Sequence, residues 1–232
     1  MLVKTYRGFL FDADNTLFDY DRGEGEAFRQ AVVEAAPGAD PERALEAYKE
    51  INAGFWRRLE QGDVTMEELK VGRFRALLDF LGSGAAAGRL SARYLDILST
   101  KAYFMPHAEE VLEALHLRAR LGLVTNGISR VQRGRLGRSG ILGLFNAVTI
   151  SEEIGAAKPD PAFFSHAMRG LGLPASELLC VGDTPASDIA GAQASGIDAC
   201  WFNPAGLPWP GPGEEPGMII SDLRDLLPLA PV

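Results

Sequence analysis

The chain has 232 residues, 47% of them apolar and 23% charged, a balance that excludes a disordered or fibrous protein and leaves a globular one of one or two domains. Its formal net charge is −8, and Lys and Arg never run five together, which argues against a nucleic acid polymer or an anionic membrane surface as partner. Only Cys180 and Cys200 occur, both in apolar stretches, no signal-peptide pattern opens the chain at Met1-Leu2-Val3-Lys4-Thr5-Tyr6-Arg7, and no apolar run approaches the ~20 residues of a membrane span, so the expectation is a cytoplasmic protein without a disulfide framework.

The first apolar run, Gly8 to Phe11, reads as a buried strand that ends in Asp12 and Asp14, followed by the hydroxyl of Thr16. On extended backbone the side chains at i and i+2 share a side, so both carboxylates face one small volume beyond the strand. Such a pair repels itself, and a divalent cation or a shared proton is the ordinary relief. The pattern then turns helical over roughly 22–36, 41–61, 64–82 and 88–102. Tyr48, Ile51, Phe55 and Leu59 mark one apolar face, Phe74, Leu77, Leu78 and Leu81 another, and Leu90, Tyr94, Ile97 and Leu98 a third. Pro37-Gly38, Gln61-Gly62-Asp63 and Leu81-Gly82-Ser83-Gly84 separate these segments, which makes the block a small helical bundle inserted after the first strand.

From Pro106 helices and strands alternate. A helix near 107–118 precedes the strand Leu121 to Val124, which ends in Thr125-Asn126-Gly127. A helix over 129–139 leads to the strand Ala147 to Ile150, and Lys158-Pro159-Asp160-Pro161 opens a helix carrying Phe164, Met168 and Leu171. Leu178 to Gly182 is again a strand, ending in Asp183. A helix around Ile189 to Ala192, strands at Ala199 to Phe202 and Met218 to Ile220, and a short terminal helix complete the chain. Asn203 to Gly217, rich in Pro and Gly, reads as a surface loop without a function of its own. Alternation with continuous apolar strands predicts an α/β fold, a doubly wound parallel sheet covered on both faces, whose ligands sit beyond the carboxyl ends of the strands. Asp12 with Asp14, Thr125, and Asp183 all end strands at that edge.

Asp12-Ala13-Asp14-Asn15-Thr16, Thr125-Asn126-Gly127, Lys158-Pro159-Asp160-Pro161 and Gly182-Asp183-Thr184-Pro185-Ala186-Ser187-Asp188 resemble, in this order, the four motifs of the haloacid dehalogenase-like (HAD) phosphohydrolase superfamily. The likeness implies a Rossmann-like core at 1–16 and 104–232 and an inserted all-helical cap at 17–103, with hinges near Phe18 to Asp21 and Tyr103 to Pro106. The runs Phe11 to Phe18, Leu123 to Ser129 and Ile150 to Pro161 are most similar to the pyrimidine nucleoside 5′-monophosphatase branch.

The resemblance implies hydrolysis of a small phosphate ester with Mg²⁺. Asp12 is expected to attack phosphorus, giving an acyl phosphate that water then cleaves, and Asp14 to protonate the leaving alkoxide and later take a proton from water. Asp12 and Asp183 are the expected carboxylate ligands, and by the same resemblance Asp14 offers its backbone carbonyl. Asp188 is expected to orient water on the ion or to brace Asp183. Thr125 with the backbone N–H groups of Asn126 and Gly127 would cradle the phosphate, and Lys158 would steady Asp12 and the transferring phosphoryl group. Taken singly, Thr125 reads as a helix cap and Lys158 as a solvated cation; the register of four motifs gives them these roles.

Other residues are assigned blander parts. His107, His116 and His166 lack metal-ligand spacing. Arg130, Arg133, Arg135 and Arg138 read as a solvated helix face. Phe18, Tyr20, Phe55 and Trp56 are candidates for stacking a nucleobase, or else for packing within the cap. Among rivals, a dehalogenase lacks a carboxylate at the position of Asp14, a phosphonatase has a small residue there, and a catalytically silent binding module has no chemical need for Asp12, Asp14, Lys158 and Asp183 together. A phosphomutase, or a phosphatase of sugar phosphates or of a broad range of small metabolites, remains compatible. The assembly expected is a monomer or a homodimer.

Overall fold

The computed structural model describes residues 4–211 and 215–231; the first three residues of the N-terminal reading and residues 212–214 of the Pro- and Gly-rich loop lie outside the described residues. The run Gly-Phe-Leu-Phe-Asp forms strand β1 (Gly8–Asp12), buried at every position. Such a strand needs apolar cover on both faces, which a parallel sheet with helical crossovers supplies. The chain divides into two compact units, residues up to 20 together with 102 onward, and residues 21–101.

The second unit holds α1 (Tyr20–Ala35, all but its first residue), α2 (Pro41–Glu60), α3 (Met66–Phe80) and α4 (Ala87–Leu98). Local signals set their starts. Asp40 caps α2 by accepting from the N–H of Glu42 at 3.0 Å, with Pro41 in the first turn. Thr65 and Glu68 form a reciprocal capping box on α3. One aromatic ring from each helix meets at the centre: Phe28 and Tyr48 are 4.5 Å apart between centroids, Tyr48 and Phe74 5.2 Å, Phe74 and Tyr94 5.1 Å.

The sequence places the unit junctions at 16/17 and 103/104, but residues 17–20, 102 and 103 go with the sheet. Leu17 and Phe18 are fully buried in its apolar core, and the Phe18 ring stacks on Phe104 at 5.5 Å. The Asp19 N–H donates to the Tyr103 carbonyl at 2.9 Å, and the Met105 N–H to the Leu17 carbonyl at 2.9 Å, so the two connecting stretches are tied side by side.

The sheet unit continues through α5 (Ala108–His116), β2 (Arg120–Thr125), α6 (Ser129–Ser139), β3 (Ala147–Ile150), α7 (Ser151–Ile154), α8 (Pro161–Leu171), β4 (Leu178–Gly182), α9 (Ala190–Ala194), β5 (Asp198–Phe202) and β6 (Met218–Ile220), and closes on 3₁₀ turns over Leu223–Leu229. All six strands are parallel, in the order β3-β2-β1-β4-β5-β6. Alternate side chains divide the core into two layers. Phe9, Phe11, Leu121, Leu123 and Val181 face α5 and the terminal turns, while Leu10, Val124, Cys180 and Trp201 face α8 and α9. Cys180 and Cys200 are buried and unpaired. Among the described residues no helix is long and apolar enough to cross a membrane.

Candidate active site

Chain order reverses between β1 and β4, the switch point at which a crevice opens beyond the strand ends. The register makes those ends level: Asp12 pairs with Val124 of β2, and Phe11 with Val181 of β4. Asp12, 6% exposed, therefore meets the residues that follow Val124 and Val181. Lys158, 3% exposed, reaches it from the segment before α8 and donates from Nζ to Asp12 Oδ1 at 2.5 Å, Asp188 Oδ1 at 2.6 Å and the Val124 carbonyl at 3.2 Å. Its backbone is locked by Asn126, whose amide accepts from the Lys158 N–H at 2.8 Å and donates to the Lys158 carbonyl at 2.9 Å. The Asn126 side chain is thus a brace for Lys158, a role distinct from the phosphate cradle expected of its backbone. Burial pushes the Asp12 carboxyl well above its usual range against the pull of Lys158, and the neighbouring Asp188, Asp183 and Asp14 add to the rise. Burial alone would lower the Lys158 ammonium; Asp12 and Asp188 outweigh it and hold that group above its usual value.

After β4 the backbone makes one wide π-type turn over Pro185–Ile189 before α9. That turn folds Asp188 back over Gly182, where a Cβ would stand 2.4 Å from the Asp188 carboxyl carbon, so the position admits only glycine. Asp188 is expected to brace Asp183 or orient water, but its oxygens are held by Lys158 and, at 3.0 Å, by the Thr184 N–H. Asp12, Asp183 and Asp188 each offer an oxygen to one cluster in which these atoms lie within 4.8 Å of one another. Burial, then repulsion from Asp188, raises Asp183 to about 7. The Asp183 carbonyl accepts from the indole N–H of Trp201 at 2.9 Å, and Trp209, from the Pro- and Gly-rich loop, packs edge-on against Trp201 at 5.2 Å. The Pro- and Gly-rich stretch expected to be a surface loop therefore buttresses the turn that carries Asp183.

Past β1, Asn15 takes a left-handed conformation (φ 58), which Asn tolerates better than most residues, and its side chain accepts from the Tyr20 N–H at 3.1 Å. This turn presents Asp14, a quarter exposed, to α6. Gln132 Nε2 donates to Asp14 Oδ2 at 2.9 Å and to Thr125 Oγ1 at 3.0 Å, while Arg135 Nη2 pairs with Asp14 Oδ1 and donates to Gln132 Oε1 at 2.8 Å. The reading of a wholly solvated arginine face on α6 is corrected here. Arg135 is 1% exposed, buried by the Phe18 and Tyr20 rings at 5.1 and 5.6 Å, because an ion pair with Asp14 offsets its desolvation. Arg133 pairs instead with Glu153 at 2.6 Å. Thr125 Oγ1 also accepts from the Gly127 N–H at 3.1 Å, so that N–H is occupied within the turn. With two hydrogen bonds accepted, the Thr125 hydroxyl is left to donate. Gly127 has no room for a Cβ, which would meet Gln132 Nε2 at 2.0 Å.

Asp12, Asp14, Thr125, Asn126, Gly127, Lys158, Asp183 and Asp188 thus lie together beyond the ends of β1, β2 and β4. His107 and His116 bond elsewhere, to Glu110 at 3.3 Å and to the Leu144 carbonyl at 2.9 Å. Phe18, a stacking candidate, is fully buried against Phe104 and Arg135; Tyr20, Phe55 and Trp56 are half-buried. Sequence reasoning missed Gln132, Arg135 and Trp201. Gln132 and Arg135 are spaced i, i+3 on α6 and so share one face of it, but nothing in the sequence aims that face at Asp14.

Residues 6–196 match the haloacid dehalogenase-like hydrolase family. The HAD-hydrolase YfnB of Bacillus subtilis (strain 168) is 34% identical over 204 residues, 87% of this chain and 86% of that protein. A magnesium-bound crystal structure of YfnB superimposes with a TM-score of 0.87 at 33% identity, covering 96% of this chain and 97% of that one. The pyrimidine 5′-nucleotidase YjjG of Escherichia coli (strain K12) is 32% identical, covering 93% of this chain and 94% of its own length. PynA of Streptococcus pneumoniae (strain ATCC BAA-255 / R6), also a pyrimidine 5′-nucleotidase, is 34% identical over 86% of this chain and 84% of its own length. With strands, motifs and family match in one register, the chain belongs to the haloacid dehalogenase-like hydrolases.

Proposed function

We propose that this hydrolase cleaves phosphate monoesters with Mg²⁺ through an aspartyl phosphate on Asp12, and that its substrates are nucleoside 5′-monophosphates, pyrimidine ones preferred. The observation that carries the reading is a buried carboxylate, Asp12, held at 2.5 Å by a buried ammonium, with a second carboxylate, Asp14, two residues further on. The nucleotide preference rests on the two pyrimidine 5′-nucleotidase relatives. The donor set fits Mg²⁺: it is built of hard carboxylate oxygens, and four carboxylates, Asp12, Asp14, Asp183 and Asp188, face two cations, Lys158 and Arg135, an excess equal to the charge of one divalent ion. Because Asp188 is engaged by Lys158 and Thr184, Asp12 and Asp183 are the carboxylates that would hold the ion, and the family resemblance adds the Asp14 backbone carbonyl. When bound, Mg²⁺ supplies the positive charge that lets a dianionic phosphate approach a carboxylate.

An Asp12 oxygen forms a bond to phosphorus as the ester P–O bond breaks, and Asp14, a carboxylate in the resting site that takes up a proton before turnover, gives that proton to the departing alkoxide. Water then attacks phosphorus and returns a proton to Asp14, and the bond between Asp12 and phosphorus breaks to release phosphate. The Thr125 hydroxyl donates to a phosphoryl oxygen. All three N–H donors of Lys158 are engaged, the longest at 3.2 Å to Val124, and that bond is the one a phosphoryl oxygen replaces. The Asp14 carboxylate also favours ester cleavage over dehalogenation, which has no alkoxide to protonate.

The test is phosphate release from nucleoside monophosphates, sugar phosphates and p-nitrophenyl phosphate, with Mg²⁺ and with EDTA. Magnesium-dependent release fastest on UMP, dUMP or dTMP is the expected result. Release spread over sugar phosphates keeps the hydrolase and discards the nucleotide preference; no release from any ester overturns the proposal.

A further inference from the structure

Asp14 has to deliver a proton along one line, yet a carboxylate that stands just before the left-handed Asn15 and is a quarter exposed has rotamers to lose. The structure removes that freedom. Both of its oxygens are engaged, Oδ2 by Gln132 and Oδ1 by Arg135, and Arg135 is tied to Gln132 as well. The direction of the Gln132 amide follows from these partners: flipped, it would set its oxygen against the Asp14 carboxylate and its NH₂ against a guanidinium. The same NH₂ group reaches Thr125 Oγ1 at 3.0 Å, so one side chain spans the acid and the phosphate-facing hydroxyl. Gln132 and Arg135 are both 1% exposed, far too buried to serve solubility, and the bare Cα of Gly127 leaves the space that Gln132 fills.

We propose that Gln132 and Arg135 are positioning residues for the general acid, fixing the direction of the Asp14 carboxylate relative to Thr125. Neither is assigned contact with substrate. The inference rests on the phosphatase reading and adds to it which residues make Asp14 effective. Because they act through Asp14, their loss falls on the step in which a leaving group needs a proton. Gln132 also bonds Thr125, so part of its loss is shared by every phosphate ester; Arg135 has no such second contact.

The test compares the unaltered chain with Arg135→Lys, Arg135→Met and Gln132→Met on a nucleoside monophosphate and on p-nitrophenyl phosphate, whose leaving group departs as a stable anion. Each methionine variant is expected to lose at least about tenfold more in kcat on the nucleotide than on the aryl ester, with the larger share of the loss in kcat rather than KM. Arg135→Lys, which keeps the charge but not the fork, is expected to fall between Arg135→Met and the unaltered chain. Thermal unfolding and Mg²⁺ titration of each variant accompany the rates. Should Arg135→Met fail to fold, Gln132→Met carries the test, since it is close in size and removes no charge. Equal losses on both esters, or no loss on either, overturn the positioning role while leaving the hydrolase intact. Absence of hydrolysis by the unaltered chain overturns both.

Discussion

In the sheet unit four carboxylates converge on two cations at a strand edge, whereas the helical unit buries Glu24 beside Asn52, Arg73 and Tyr94 in the middle of a bundle. Asn52 accepts from Arg73 at 2.7 Å and donates to Glu24 at 3.3 Å, and the Arg73 guanidinium lies 5.2 Å from the Phe74 ring and 5.4 Å from Tyr94. One acid and one base balance each other there. At the sheet edge the charges do not balance, and burial first, then repulsion from neighbouring carboxylates, raises Asp12 and Asp183. A buried polar cluster whose charges balance is a scaffold; one that leaves a charge uncompensated is built for something that arrives.

That distinction predicts opposite outcomes for two substitutions. Asp12→Asn in the sheet unit should lower turnover about 10⁴-fold or more while leaving the unfolding midpoint in EDTA within a few degrees of the unaltered chain, since it removes a crowded charge along with the nucleophile. Phosphate release above trace levels would contradict the covalent route. Arg73→Met in the helical unit should instead cost about 3 kcal/mol of stability by leaving buried polar groups without their partner, read as a lower denaturant midpoint. A large loss of kcat in Arg73→Met with stability unchanged would break the comparison, because the helical cluster would then be functional.

The same contrast explains what was legible in the chain. Asp12, Thr125 and Asp183 each stand at the end of an apolar run, and a strand end is visible in one dimension; their convergence follows from parallel topology alone. Lys158 was legible through the motif around it. Arg135 was not, because its burial depends on a partner far away in sequence, and on its own helix it is one of four similar arginines. The π-type turn that brings Asp188 onto Lys158 has no sequence periodicity, and the four residues of α7 are too few to show any. Glu24, Asn52, Arg73 and Tyr94 come from four helices without a shared motif, so their meeting is a fact of packing. The unit junctions shifted by a few residues for a related reason: in sequence Leu17 and Phe18 stand at the start of the inserted block, and tertiary burial claims them for the sheet.

The smallest effect is the most direct probe of the uncompensated charge, since it needs no turnover. Adding Mg²⁺ at about a hundredfold over its dissociation constant should stabilise the chain against heat by about 2.7 kcal/mol, and EDTA should abolish the gain. Its pH dependence follows from Asp183, raised to about 7 without metal. A carboxyl whose folded value lies above its unfolded one binds more protons when folded, so the metal-free chain loses stability as pH rises from the usual carboxylate range through about 7. Over that interval the proton leaves the oxygen that Mg²⁺ takes, and the magnesium-induced shift should therefore grow on going from about pH 5.5 to about pH 8. In Asp183→Asn both the shift and its growth should largely vanish. A shift of equal size at both pH values, or one retained by Asp183→Asn, would place the ion elsewhere and leave the excess charge at the sheet edge without its counterpart.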